Sequence, residues 1–216
     1  MASQVRPIVL HCGPGRNAAF ADFINPGAWT IVAYVADAGN VHAGEIPCVS
    51  FAHWQQHLRA IPSAFVALDP RERRAHVERV LAAGGAIAHV EVVGGAIARQ
   101  ATFAQGTLIG RGALYVGTVT TVGRHTIVLT PASLGHDVVI GDFVTIHPSV
   151  AVSGYVVIED DVTVGVGAVI LNGRPDKPIR IGRGAQIAAG AVVTSSVKPG
   201  SIMTGNPARP KTAELS

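Results

Sequence analysis

At 216 residues the chain is long enough for one good-sized domain or two small ones, each able to bury a core. Hydrophobic residues make up 48% and aromatic ones only 5%, so Val, Ile, Leu and Ala must fill the interior, which suits a thin and repetitive one. Charged residues are 14%, the formal charge is +3 and no Lys/Arg run occurs, which argues against nucleic-acid binding; so small an excess suits a polyanionic small molecule or ordinary solubility.

The first elements read as alternating strands and helices. Residues 5–12 form an expected strand, 17–24 a short helix, 30–36 a β-branched strand and 51–60 another helix. The clearest helix starts at Asp69, whose carboxylate can accept a backbone N–H, with Pro70 at the first helical position and Glu72 three residues after the cap. Val77, Val80 and Leu81 supply its apolar face and Gly84 can end it. This order favours a parallel sheet. Cys12 and Cys48 lie in this part without CxxC or metal-like spacing, which points to a reducing compartment, no disulfide framework and no metal. No stretch has the length or composition of a signal peptide or membrane span, so a soluble cytoplasmic protein is expected, with no membrane partner.

Near residue 94 the pattern changes, giving an α/β unit over 1–93 and a second unit over 94–216. From Ile97 an aliphatic or aromatic residue recurs every six: Ile97, Phe103 and Ile109, then, after one extra residue, every sixth position from Val116 to Ile170, and again Ile181, Ile187 and Val193. Gly often follows the aliphatic (Gly117, Gly135, Gly141), and the fourth residue after it is small or β-branched (Thr120, Thr126, Val144). Each six-residue unit is one short strand and a corner, and three close a triangular coil of about 18 residues; coils must stack into a parallel β-solenoid to bury the ladder. Between Ile170 and Ile181 the ladder breaks over the polar, turn-rich residues 172–178, read as a loop leaving the solenoid.

These repeats, with Gly135-His136-Asp137-Val138-Val139-Ile140-Gly141-Asp142 and Gly205-Asn206-Pro207-Ala208-Arg209, resemble the sugar O- and N-acetyltransferases of the sialic-acid acetyltransferase and bacillosamine-biosynthesis type. The resemblance covers nearly the whole chain. It implies an α/β Rossmann-like N-terminal domain holding a nucleotide sugar, an all-β left-handed parallel β-helix, a homotrimer, and acetyl-CoA between neighbouring helices. It further implies that His136 is the general base and Asp137 its orienting carboxylate, the chemistry needing a group of near-neutral pKa to take the proton of an attacking amine or hydroxyl. Gly154, one coil later, would offer its N–H to the thioester oxygen. Pantetheine would follow Val166 and Ala189, with the nucleotide end near Asn206 and Pro207.

Substrate binding would fall to Gly13, Gly15 and Arg16 of Gly13-Pro14-Gly15-Arg16 and to Asp37. That loop departs from the glycine-rich, histidine-containing loop of the family, so Arg16 either binds a phosphate or fills the site. Thr145 replaces a second histidine, and Leu129 replaces a polar residue near the acceptor. His125 is assigned to the surface or the acceptor lining; His147 has an open auxiliary role; His53 and His57 share a helix face without a third ligand. An acyltransferase acting on a non-sugar acceptor is the alternative within the same chemistry, and two readings of other kinds stand beside it. A zinc carbonic anhydrase of this fold would pair His89 and His125 but finds Thr130 at the third ligand. A non-catalytic nucleotide- or CoA-binding module would have no use for the His136-Asp137 pair.

Overall fold

A computed structural model describes residues 5–12, 24, 28–36, 45–89, 95–110, 112 and 114–211. In the first part β1 (Arg6–His11) lies between β2 (Trp29–Val35) and β4 (Ser63–Phe65), with β3 (Cys48–Val49) outside β2; all pairings are parallel, in the order β3-β2-β1-β4. The expected helix over 17–24 lies outside the described residues save Ile24, which is buried.

Helix α1 (Phe51–His57) is capped by Ser50, whose hydroxyl accepts the His53 N–H, and buries Phe51 and Trp54. Helix α2 (Pro70–Ala82) starts where Asp69 accepts the N–H groups of Arg71 at 2.7 Å and Glu72 at 3.4 Å, and it closes before Gly84 at φ 76°. Its buried stripe is Pro70, Arg73, Val77 and Val80; Leu81, expected on the apolar face, is 50% exposed because the sheet below takes only the stripe through Arg73.

Side chains alternate across a strand. One face of this sheet, through Val9, Val35 and Phe65, meets Phe51, Trp54, Val77 and Val80 of the helices. The other, through Ile8, Leu10, Tyr34 and Ala64, meets Leu108, Ile127 and Leu129 of the second part. The two parts therefore share a core across the change of pattern at residue 94.

The second part is a parallel β-helix with three flat sides. The Tyr115 face pairs Ala96, Tyr115, Ser133, Ala151, Val169 and Val192 in turn. The Val139 face pairs Thr102, Thr121, Val139, Val157 and Arg180. The Thr145 face pairs Leu108, Ile127, Thr145, Thr163, Gln186 and Ile202. The recurrent aliphatics point inward: from Val116 through Val193 each is at most 3% exposed, while Ile97 and Phe103 at the open first coil are half-buried. Each contributes about 2 kcal/mol of burial, which no single coil could retain alone.

The second inward position carries Thr120 and Thr126, whose hydroxyls donate to the carbonyls of Gly135 and Gly141 in the next coil at 2.7 and 2.9 Å. Glycine follows the aliphatic where coils touch: a Cβ on Gly135 would lie 2.7 Å from the Ser153 carbonyl carbon and 2.8 Å from the Gly154 nitrogen. Among the described residues no helix is long and apolar enough to cross a membrane.

Candidate active site

His136 and Asp137 occupy the corner where the chain passes from the Tyr115 face to the Val139 face. Asp137 takes φ 54°, fixed by its N–H donating to the Thr118 carbonyl at 2.9 Å, and this turns its carboxylate back toward the preceding ring. His136 Nδ1 and Asp137 Oδ2 are 2.8 Å apart, with the imidazole 47% exposed. With Nδ1–H donating, Nε2 is left as the acceptor. Gly154 lies directly against the ring one coil on: a Cβ there would stand 2.6 Å from both His136 Cε1 and Nε2. Tyr155, at φ 55°, presents its ring edge-on to His136 with centroids 5.0 Å apart. Sequence reasoning passed over Tyr155, which adding one 18-residue coil to Asp137 would have found.

The Gly154 N–H has no acceptor among the described residues, nor have those of Val166 and Ala189. These latter two sit on another corner, where the chain passes from the Thr145 face to the Tyr115 face, Gly190 N–H donating to the Val166 carbonyl at 2.8 Å. Val166 is 50% exposed and Ala189 exposed. Asn206 and Pro207 continue that corner upward, held by Val192 N–H on the Gly205 carbonyl and Ala208 N–H on the Val192 carbonyl. The expected residues thus form two rows, His136, Asp137 and Gly154 on one edge of the Tyr115 face and Val166, Ala189, Asn206 and Pro207 on the other; within one chain they are not joined. Between them Gly95, Ala96, Tyr115, Pro131, Ser133 and Ala151 line an open apolar hollow of about 540 Å³. Gly13, Gly15, Arg16 and Asp37 lie outside the described residues.

Several expectations change. His125 is neither surface nor acceptor lining: it is 7% exposed, stacked on Phe143 at 4.9 Å and edge-on to Phe65 at 6.2 Å. Leu129 is buried between the sheet and the β-helix. Thr145 is fully buried and engaged by Arg73. His147 is half-buried on the Val166 side of the section, away from His136 in the same chain, and burial lowers its pKa. Burial brings His125 down to about 4, so it is neutral at pH 7. Among the described residues no group of three or more His, Cys, Asp or Glu is arranged to hold a metal ion.

No family model matches the chain. GDP-perosamine N-acetyltransferase of Escherichia coli O157:H7 is 46% identical over 108 residues, 48% of this chain and 49% of that protein, so the match spans about half the length of that curated relative. The acetyltransferase domain of PglB from Neisseria gonorrhoeae FA1090, in complex with acetyl coenzyme A, superposes with TM-score 0.81 at 22% identity over 96% of this chain and all of that one. A mutant of perosamine N-acetyltransferase from Caulobacter crescentus, in complex with CoA and GDP-perosamine, gives TM-score 0.80 at 20% identity over 94% of this chain and 96% of that one. These two likenesses concern the fold.

Proposed function

We propose that this chain, whose homologues are hexapeptide-repeat sugar N-acetyltransferases of the bacillosamine and perosamine type, transfers an acetyl group from acetyl-CoA to an amino group of a nucleotide-linked sugar. The observation that carries the reading is the His136–Asp137 pair at 2.8 Å, lying over the open Gly154.

The amine nitrogen attacks the thioester carbonyl carbon and gives its proton to His136 Nε2, while Asp137 holds Nδ1–H and steadies the imidazolium. The Gly154 N–H donates to the oxygen as it gains negative charge. The carbon–sulfur bond then breaks, the thiolate leaves, and the imidazolium returns the proton to sulfur. No covalent acyl-enzyme is needed, and neither cysteine belongs to this corner: Cys12 is buried in the α/β part, where burial pushes its thiol up to about 12.

The reading extends to the arrangement. Residues 1–93 form a Rossmann-like nucleotide-sugar-binding unit and 94–216 a left-handed β-helix, supported by the four parallel strands and the three-sided coils. Gly13, Gly15, Arg16 and Asp37 take the nucleotide sugar, and Val166, Ala189, Asn206 and Pro207 take the coenzyme. The protein acts in the cytoplasm as a homotrimer. What supports the trimer is the split of these residues between two edges of one uncharged face: a cyclic assembly about that face would set the His136 edge of one copy against the Val166 edge of the next.

The test is thiol release from acetyl-CoA across a panel of amino- and hydroxyl-bearing sugar nucleotides, with His136→Ala beside the wild type. Acceptor-dependent release that falls by about a hundredfold or more in the variant is expected. Release unchanged in the variant removes His136 as base, and silence across the panel removes sugar nucleotides as acceptors.

A further inference from the structure

The excursion at residues 172–178 grows out of the same corner as His136. Pairing on the Val139 face steps by one 18-residue coil from Val139 to Val157, but the next partner of Val157 is Arg180, so the additional residues leave the coil here. Gly173 N–H donates to the Gly154 carbonyl at 3.0 Å, which puts the start of the excursion one coil above the glycine that lies against the His136 ring. A side chain at Gly173 would run into the Tyr155 carbonyl and come within 2.6 Å of the Ile179 nitrogen, so the turn can be this tight only with glycine.

Arg174 and Lys177 pair with each other through their backbones, N–H to carbonyl in both directions at 3.1 and 3.0 Å. Directly opposed residues of an antiparallel pair put their side chains on one side of the ribbon, and two like charges so placed repel. The local neutralisation is slight. Arg174 Nε lies 3.4 Å from Asp176 with both side chains mostly exposed, and Lys177 has no carboxylate within ion-pair distance among the described residues. Arg174 and Lys177 border an open cavity of about 260 Å³ whose far wall is Thr194, Ser195 and Ser196. Two cationic and three hydroxyl-bearing residues line it together with Asn172, Gly173, Pro178 and Ile179, and the paired cations and hydroxyls are suited to phosphate oxygens.

We infer that this cavity holds phosphate groups of the acyl donor, with Arg174 and Lys177 as the cations and Thr194, Ser195 and Ser196 as hydrogen-bond donors. The inference rests on the acetyl-CoA reading above. The spacing favours the donor: coils rise by about 4.8 Å each, so the cavity begins about 10 Å and ends about 14 Å above the level of His136 along the axis. An extended pantetheine arm starting at His136 and running up the edge delivers its diphosphate to this height. The diphosphate of a nucleotide-sugar acceptor offers the same chemistry, and the experiment separates the two.

Wild type and the Arg174→Ala/Lys177→Ala double variant are compared with acetyl-CoA and with acetyl-pantetheine, which lacks the phosphates, and the KM of the acceptor is measured in parallel. The ratio of kcat/KM for acetyl-CoA to that for acetyl-pantetheine should fall by about tenfold or more in the variant, with the acceptor KM unchanged, and the wild-type advantage of acetyl-CoA should shrink as salt is raised. Equal losses on both donors, no loss, or a rise confined to the acceptor KM overturns the inference. Titration of CoA and of pantetheine into both proteins separates this from failure of acetyl transfer itself. If no acceptor is turned over, tighter binding of CoA than pantetheine that vanishes in the variant still supports the cavity, and equal binding of the two by wild type rejects it. An unchanged melting temperature of the variant shows that the loop substitutions leave the fold intact.

Discussion

Both terminal nitrogens of Arg73 lie 3.1 Å from the hydroxyl of Thr145, 72 residues away on the outer face of the β-helix. The same hydroxyl donates to the Leu68 carbonyl at 2.7 Å, so one threonine ties the turn before α2 to its first helical turn. Arg73 is wholly buried, and its other donors reach the carbonyls of His125 at 2.7 Å, Phe143 at 2.8 Å and Val144 at 3.0 Å. No carboxylate is among these partners, and burial lowers the guanidinium pKa to about 9, still charged at neutral pH.

Arg73→Met should therefore destabilise the protein by about 3 kcal/mol or more, because it strips buried carbonyls on both sides of the junction of their donor. Arg73→Lys should recover only part, since one ammonium cannot span the fork. Chemical denaturation of the three proteins checks the order; equal midpoints would mean that the junction is held by apolar contact alone.

Gly154→Ala should separate stability from activity. The three atoms nearest the added methyl all belong to the His136 ring, which is half-exposed and can swing aside, so folding should change little. On the proposed role of His136 as base, displacing its ring by about an ångström costs on the order of a hundredfold in kcat. A variant that melts with the wild type yet keeps full turnover would show that the ring position seen here is not the working one.

Acid should unfold the protein through two histidines. His11, its Nε2 3.0 Å from Ser63 Oγ, is lowered to about 3, by burial first and then by His76 and Arg79. His125 is lowered to about 4 by burial, with Asp142 opposing and Arg124, Arg73 and Arg74 adding to the fall. Both folded values lie below the unfolded value of 6.5, so the unfolded chain binds more protons between them. Their contribution is whole above pH 6.5 and is lost as pH falls toward 4 and then 3, with a limiting slope of about 2.7 kcal/mol per pH unit for the two together. Thermal melts should be level from about pH 7.5 to about 6.5 and decline from there to about 4.5, and a profile flat over the whole range would contradict the burial of these rings as neutral groups.

Asp69→Ala removes the cap of α2 and should cost about 1 kcal/mol, whereas Asp69→Asn or Asp69→Ser should restore most of it, because the cap works through a side-chain oxygen accepting the Arg71 N–H. Urea denaturation of the set distinguishes this from a pure charge effect, which Asn and Ser would not rescue.

The β-helix was legible in the sequence because its determinants are local and repeated. A six-residue period specifies which side chain points inward whatever the rest of the chain does, and the ladder from Val116 to Val193 is buried as that period requires. The caps of α2 and the adjacency of His136 and Asp137 are likewise matters of near neighbours. Period alone could not say what covers the outside of a coil. That Leu108, Ile127 and Thr145 face a second layer while Tyr115 stays open follows from docking the four-stranded sheet on one of three similar sides, a long-range choice made by summed apolar contact and by the Arg73 bonds. The same choice buried His125, which in sequence looks like any other corner residue, and left Leu81 exposed, while the three-sided coil itself sets the His136 edge and the Val166 edge on different corners. Residues one period apart are stacked by the chain itself, whereas residues on different corners meet only through tertiary or intermolecular packing.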